Sequence, residues 1–123
     1  MRLLTICVVL LTITIVPALA ADISGTWNAN VELDIGAQVA PSFTLKQAGG
    51  KLTGGFTNPA FTNQPLTGTV TGDSFSFDVN AEVQGVAVKL SFKGKLEGGK
   101  LVGTMSSTRN GETMLGKFTA TKQ

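Results

Sequence analysis

A turn-centred phrase recurs along this chain with a glycine held in one phase, and it constrains the fold more than any other feature. It reads Leu45-Lys46-Gln47-Ala48-Gly49-Gly50-Lys51-Leu52-Thr53-Gly54, then Gly68-Thr69-Val70-Thr71-Gly72-Asp73-Ser74-Phe75, then Gly94-Lys95-Leu96-Glu97-Gly98-Gly99-Lys100-Leu101-Val102-Gly103. Each copy is a polar/apolar alternation, a Gly-Gly or Gly-Asp tight turn, and a second alternation, which is the grammar of a β-hairpin. Repetition of that unit predicts an antiparallel meander.

Side-chain parity extends the pattern over the rest of the chain. Trp27, Ala29, Val31, Leu33 and Ile35 share one face, and Asn28, Asn30, Glu32 and Asp34 the other, as a half-buried strand requires. Phe43 and Leu45 begin a second strand, Leu52, Gly54 and Phe56 mark a third, and Leu66, Gly68 and Val70 a fourth. The fifth runs through Phe75, Phe77, Val79, Ala81 and Val83, and the sixth through Val86, Val88, Leu90, Phe92, Gly94 and Leu96. Leu101, Gly103 and Met105 make the seventh, and Met114, Gly116, Phe118 and Ala120 the eighth. Eight strands with short connections predict an all-β, antiparallel up-and-down barrel, with a β-sandwich as the alternative that alternation also fits. Gly54, Gly68, Gly94, Gly103 and Gly116 all fall on the apolar face, which argues for tight coiling around a narrow interior.

The first twenty residues stand outside that pattern. Arg2 is a short positive region, Leu3 to Val16 is apolar apart from threonines, and Pro17 precedes an Ala18-Leu19-Ala20 cleavage signature. The run is shorter than the ~20 residues of a spanning helix, and Cys7 lies inside it rather than at a cleavage junction. Residues 1–20 therefore read as an export signal and 21–123 as one domain, placed in the periplasm or outside the cell. After Ala20 the chain has no cysteine, and it has no histidine anywhere. An exported domain without disulfides must draw its stability from backbone pairing and a packed interior, which suits a closed barrel.

Composition narrows the function classes. Ten basic residues face eight acidic ones, with no basic run, so nucleic acid has no electrostatic footprint here. Outer-membrane barrels need strands of ~9–11 residues and aromatic girdles, whereas this chain has one tryptophan and no tyrosine. It therefore reads as not membrane-spanning after cleavage. Catalysis lacks its usual players: without histidine, and with Glu32, Asp34, Asp78, Glu82, Lys89, Lys93 and Lys95 all on the polar parity, no acid–base pair emerges. No cysteine/histidine set holds zinc, and no acidic loop holds calcium, so neither metal nor cofactor is expected. The Gly-Gly and Gly-Asp pairs lack the following helix of a phosphate loop, and Asn110-Gly111 is a hairpin turn.

Two regions remain as binding candidates. Phe56, Phe77, Phe92, Phe118 and Met105 point to an apolar interior, whose inward glycines either leave room for a guest or are covered by larger neighbours. The connections after odd strands, Gly36 to Pro41, Thr57 to Gln64, Gln84-Gly85 and Thr108 to Gly111, gather at one end, and two of them read as long loops. That end would present Asn58, Phe61, Asn63, Gln64, Arg109 and Asn110, with Arg109 the one arginine after the signal segment and so the partner for an anionic head group. The opposite end carries only tight turns and Trp27 as its plug.

Gly25-Thr26-Trp27, opening the first strand, resembles the G-x-W signature of the calycins, which include lipocalins, fatty-acid-binding proteins and avidins. Ile23 to Trp27 with Gly50-Lys51-Leu52-Thr53-Gly54 also looks like the first strands of avidin-type barrels. The resemblance implies a small barrel whose tryptophan closes one end. It does not bring biotin binding, because Trp27 stands alone and tyrosine is absent. It does not bring the lipocalins' late arginine either: Arg109 precedes the eighth strand, and Lys122 lies nearer that place. Barrel inhibitors of metalloproteases carry a disulfide that this chain lacks. Small exported bacterial barrel domains of unassigned role share the phrasing Leu45-x-Gln47-x-Gly49 and Phe92-x-Gly94-x-x-x-Gly98. The expectation is a non-enzymatic exported module that binds a small apolar or amphipathic ligand at one barrel end. The alternative is a solid-core barrel acting on a protein or envelope partner through its outer face, in the manner of an inhibitor or accessory domain.

Overall fold

The computed structural model describes residues 22–123; the signal segment expected over residues 1–20 lies outside them. Nine strands form one antiparallel sheet: β1 (Gly25–Leu33), β2 (Gln38–Val39), β3 (Ser42–Ala48), β4 (Lys51–Asn58), β5 (Phe61–Thr71), β6 (Ser74–Val83), β7 (Val86–Glu97), β8 (Lys100–Arg109) and β9 (Glu112–Lys122). From β3 onward each strand pairs with the next, and β9 returns to pair with β1 from Trp27↔Lys122 to Leu33↔Gly116. That pairing closes the sheet into the expected eight-stranded barrel with one short extra strand, and removes the sandwich alternative.

The extra strand lies inside the segment 36–41 that reads as a loop. β1 pairs with β3 over its first half (Thr26↔Thr44, Asn28↔Ser42) and with β2 over its second (Val31↔Val39, Glu32↔Gln38). β2 and β3 are thus two pieces of one barrel edge, broken around Ala40-Pro41, where proline has no N–H to give a ladder. Three other expectations change. The segment Thr57 to Gln64 is not a long loop, because β4 runs through Asn58 and β5 starts at Phe61. The Asn58 carboxamide oxygen accepts the N–H groups of Ala60 (2.8 Å) and Phe61 (2.9 Å), so the side chain itself closes a tight Pro59-Ala60 turn. Likewise, Arg109 ends a strand, in register with Glu112, and the turn is Asn110-Gly111 alone. Finally, Ile35 lies beyond the end of β1 and is 70% exposed rather than inward.

The inward glycines mark where strands touch. A Cβ on Gly103 would meet the Lys93 carbonyl and the Gly94 Cα at 2.6 Å, and one on Gly94 would meet the Val102 carbonyl and the Gly103 Cα at 2.8 Å. Gly94 and Gly103 are themselves register partners. Gly54 presses on the Thr44 carbonyl and Gly68 on the backbone at Ser76–Phe77, so the space a side chain would fill already holds neighbouring backbone. These positions make the barrel narrow. They do not hollow it.

A phenylalanine cluster fills what remains. The Phe92 ring sits 5.0 Å from that of Phe77, 5.2 Å from Phe118 and 5.4 Å from Phe56, measured between centroids. Phe43 packs on Phe77 at 5.2 Å, and Phe75 joins through Phe77 and Phe118. Such tilted and offset pairs each add about 0.5–1.5 kcal/mol beyond the area they bury. No polar or charged residue is buried among the described residues. Replacing Gly103 with alanine should cost about 1–3 kcal/mol or more, as overpacking against backbone does. Thr104→Ala, on the exposed parity beside it, should stay within about 0.5 kcal/mol; urea unfolding of the two variants checks the contrast.

Candidate functional site at the open end

The two ends of the barrel are built differently. At the closed end the Trp27 indole N–H donates to the Ile23 carbonyl at 3.0 Å, and the Ile23 N–H donates to the Gln47 side-chain oxygen at 2.9 Å. Ile23 and Trp27 are both buried, so the segment leading into β1 folds under the barrel as a stopper. Gly25 is open enough for the Lys122 stem to cross it: a Cβ there would sit 2.5 Å from the lysine Cε. That path carries the Lys122 ammonium to 6.0 Å from the centroid of the Trp27 ring, in cation–π range. The Gly-x-Trp sequence is therefore one device, with glycine admitting the lysine that covers the tryptophan. Beside it, the N–H and hydroxyl of Ser24 hold the Asp22 carboxyl below its ordinary range. The depressed value means that this contact favours folding above the ordinary aspartate pKa and is lost as pH falls through the folded one.

At the open end the phenylalanine cluster stops short of the rim. A cavity of about 130 Å³ remains, lined by Val31, Leu33, Val39, Pro41, Phe56, Asn58, Leu90, Phe92, Met105, Ser107 and Met114. Above it lies a solvent-open groove of about 700 Å³ lined by Ile35, Asn58, Ala60, Phe61, Val83, Val88, Leu90, Ser107, Arg109, Asn110, Glu112, Thr113 and Met114. Asn58, Leu90, Ser107 and Met114 belong to both, so the cavity opens into the groove. Its walls are apolar, and its polar atoms, from Asn58 and Ser107, stand where the two meet.

Of the residues expected at the mouth, Asn58, Phe61, Arg109 and Asn110 come together around the groove. The Phe61 ring is half-buried against Phe56, 5.8 Å between centroids. Asn63 and Gln64 do not join them. Asn63 has left-handed backbone (φ 49°), its N–H bonds to the Thr57 hydroxyl, and its side chain lies across Gly55; the Gln64 amide bonds back to the Thr62 carbonyl. Of the interior set, Phe56, Phe92 and Met105 line the cavity, whereas Phe77 and Phe118 lie in the packed cluster. Sequence reasoning did not single out Val39, Pro41, Leu90 or Met114. For Leu90 and Met114 the inward parity was a usable signal; Val39 and Pro41 sat in a segment read as a loop.

The cavity holds no ionisable group, and among the described residues no three histidine, cysteine or carboxylate side chains cluster for a metal. Arg109 is the one cationic side chain lining the groove, with Glu112 its register partner. In comparisons with known proteins the chain matches no family model, no curated protein and no solved structure.

The stopper makes a measurable prediction. Trp27→Phe should cost about 1–3 kcal/mol, because the buried Ile23 carbonyl loses its donor. Lys122→Met keeps the stem over Gly25 and should cost no more than about 1 kcal/mol. Denaturant midpoints read both.

Proposed function

We propose that this protein is a non-enzymatic binding module for a small apolar or amphipathic molecule, taken at the open end of the barrel. The observation that carries the reading is the continuity of an apolar cavity with a groove bearing Arg109, Asn110 and Glu112. An engineered apolar cavity of about 150 Å³ admits a benzene ring, so the 130 Å³ here suits one ring or a short alkyl end, not a long chain. The rest of the ligand lies in the groove, its polar end towards Arg109. Export through residues 1–20 belongs to this proposal, as does the calycin-like character that the Gly25–Trp27 stopper and the closed barrel support. The cavity's small size also favours a second reading, in which the well-filled barrel serves a protein or envelope partner through its outer face.

Anilinonaphthalene sulfonate, an apolar ring system with an anion, probes the first reading. Its fluorescence should rise on adding the folded protein. Met114→Trp, which places a large ring over the cavity mouth, should weaken uptake by about tenfold or more, the worth of burying one apolar group. Arg109→Ala should weaken it about threefold, as a partly exposed charge contact does. No uptake, together with a native mass spectrum free of co-purified ligand, moves the function to the outer face.

A further inference from the structure

Among the described residues the barrel has one unpaired seam. β3 and β4 are in register up to Ser42↔Thr57, and beyond that point β4 turns away through Asn58 into the β5 hairpin. β2, which continues the β3 edge along β1, pairs with β1 alone. The Leu33 N–H bonds to the Ala37 carbonyl and the Ala29 N–H to the Pro41 carbonyl, both at 2.9 Å. Ala37 and Pro41 thus face β1, and by strand alternation the N–H and C=O groups of Gln38 and Ala40 point the other way, into the seam. Both residues are exposed.

Natural sheet edges are usually blunted by charge, proline or a bulge. This edge is short and ends at Pro41, but the side chains of Ala37, Gln38, Val39 and Ala40 before it carry no charge. The seam also has a pocket of its own: Val39 and Pro41 on one side and Phe56 and Asn58 on the other are walls of the 130 Å³ cavity. A residue opposite Val39 on an added strand would share its inward parity and face that cavity.

We propose that β2 is a strand-addition site: an extended peptide segment of a partner protein pairs with Gln38 and Ala40 and lodges one apolar side chain in the open-end cavity. Main-chain bonds to the edge supply affinity and the cavity selects the side chain, the division of labour seen in other β-augmentation complexes. The inference rests on the binding reading above in its use of the cavity, and adds the backbone edge, which a small molecule does not need.

Acetyl-Thr-Val-Phe-Val-Thr-amide is the test peptide, added to protein produced from residues 1–123. Amide hydrogen exchange at Gln38 and Ala40 should slow when it binds. Gln38→Pro, which removes an outward N–H at an edge where proline is tolerated, should weaken the peptide about tenfold while dye uptake and the melting temperature hold. Replacing the central Phe with Gly should weaken it about as much, from loss of one buried side chain. Dye uptake without peptide binding at about millimolar concentration overturns strand addition and leaves the small-ligand reading standing. Loss of both dye and peptide binding overturns the cavity itself. Peptide binding that leaves the Gln38 and Ala40 amides unprotected, or a concentration-dependent dimer that Gln38→Pro dissolves, also overturns the proposal, the latter by making a second copy the occupant.

Discussion

Everything in this barrel follows from how closely its strands are allowed to approach. At Gly54, Gly68, Gly94 and Gly103 the neighbouring backbone stands where a Cβ would be, and at Gly116 the Glu32 carbonyl lies 2.8 Å from that position. These contacts are spread over the β3–β4, β5–β6, β7–β8 and β1–β9 pairs, so the sheet coils sharply around its whole circumference. A circumference that tight leaves a bore that six phenylalanines nearly fill. The cost of strand glycine, a weaker and floppier strand, is offset by closure, which leaves few edges and needs no disulfide.

The fold was legible because its signals are local. Period-two alternation, turn pairs and the phase of the glycines each occupy a few consecutive residues, and together they fix strand number, sidedness and direction. The errors fell where one side chain or one missing N–H overrides composition. Asn58 looks like a loop residue, yet its carboxamide closes a turn tight enough for both flanking strands to pair to the end. Ala37 to Ala40 has no alternation worth reading, but the edge of β1 gives it a partner. The site was legible only in part for the same reason. Parity placed Phe56, Phe92 and Met105 inward, but how far the phenylalanine cluster rises depends on packing across the barrel, and no strand's own sequence encodes that.

The open end is shaped by a mismatch between the two barrel edges at the break in the second strand. Pro41 and the Asn58 turn shorten pairing on either side of the seam, and the interior side chains beneath do not extend far enough to fill it. The same irregularity produces the cavity and the bare edge, so apolar recognition and main-chain recognition share one opening. A mutation that repaired the strand would be expected to remove both together.

Trp27 and Lys122 tie both ends of the described chain to the same pole. Asp22 leads straight into the Ile23 stopper, and Gln123 is held by a bond from its N–H to the Thr26 carbonyl. A tether joined at Asp22 or at Gln123 therefore grips the barrel at its base. The mouth then faces away from the point of attachment, like a cup fixed by its foot.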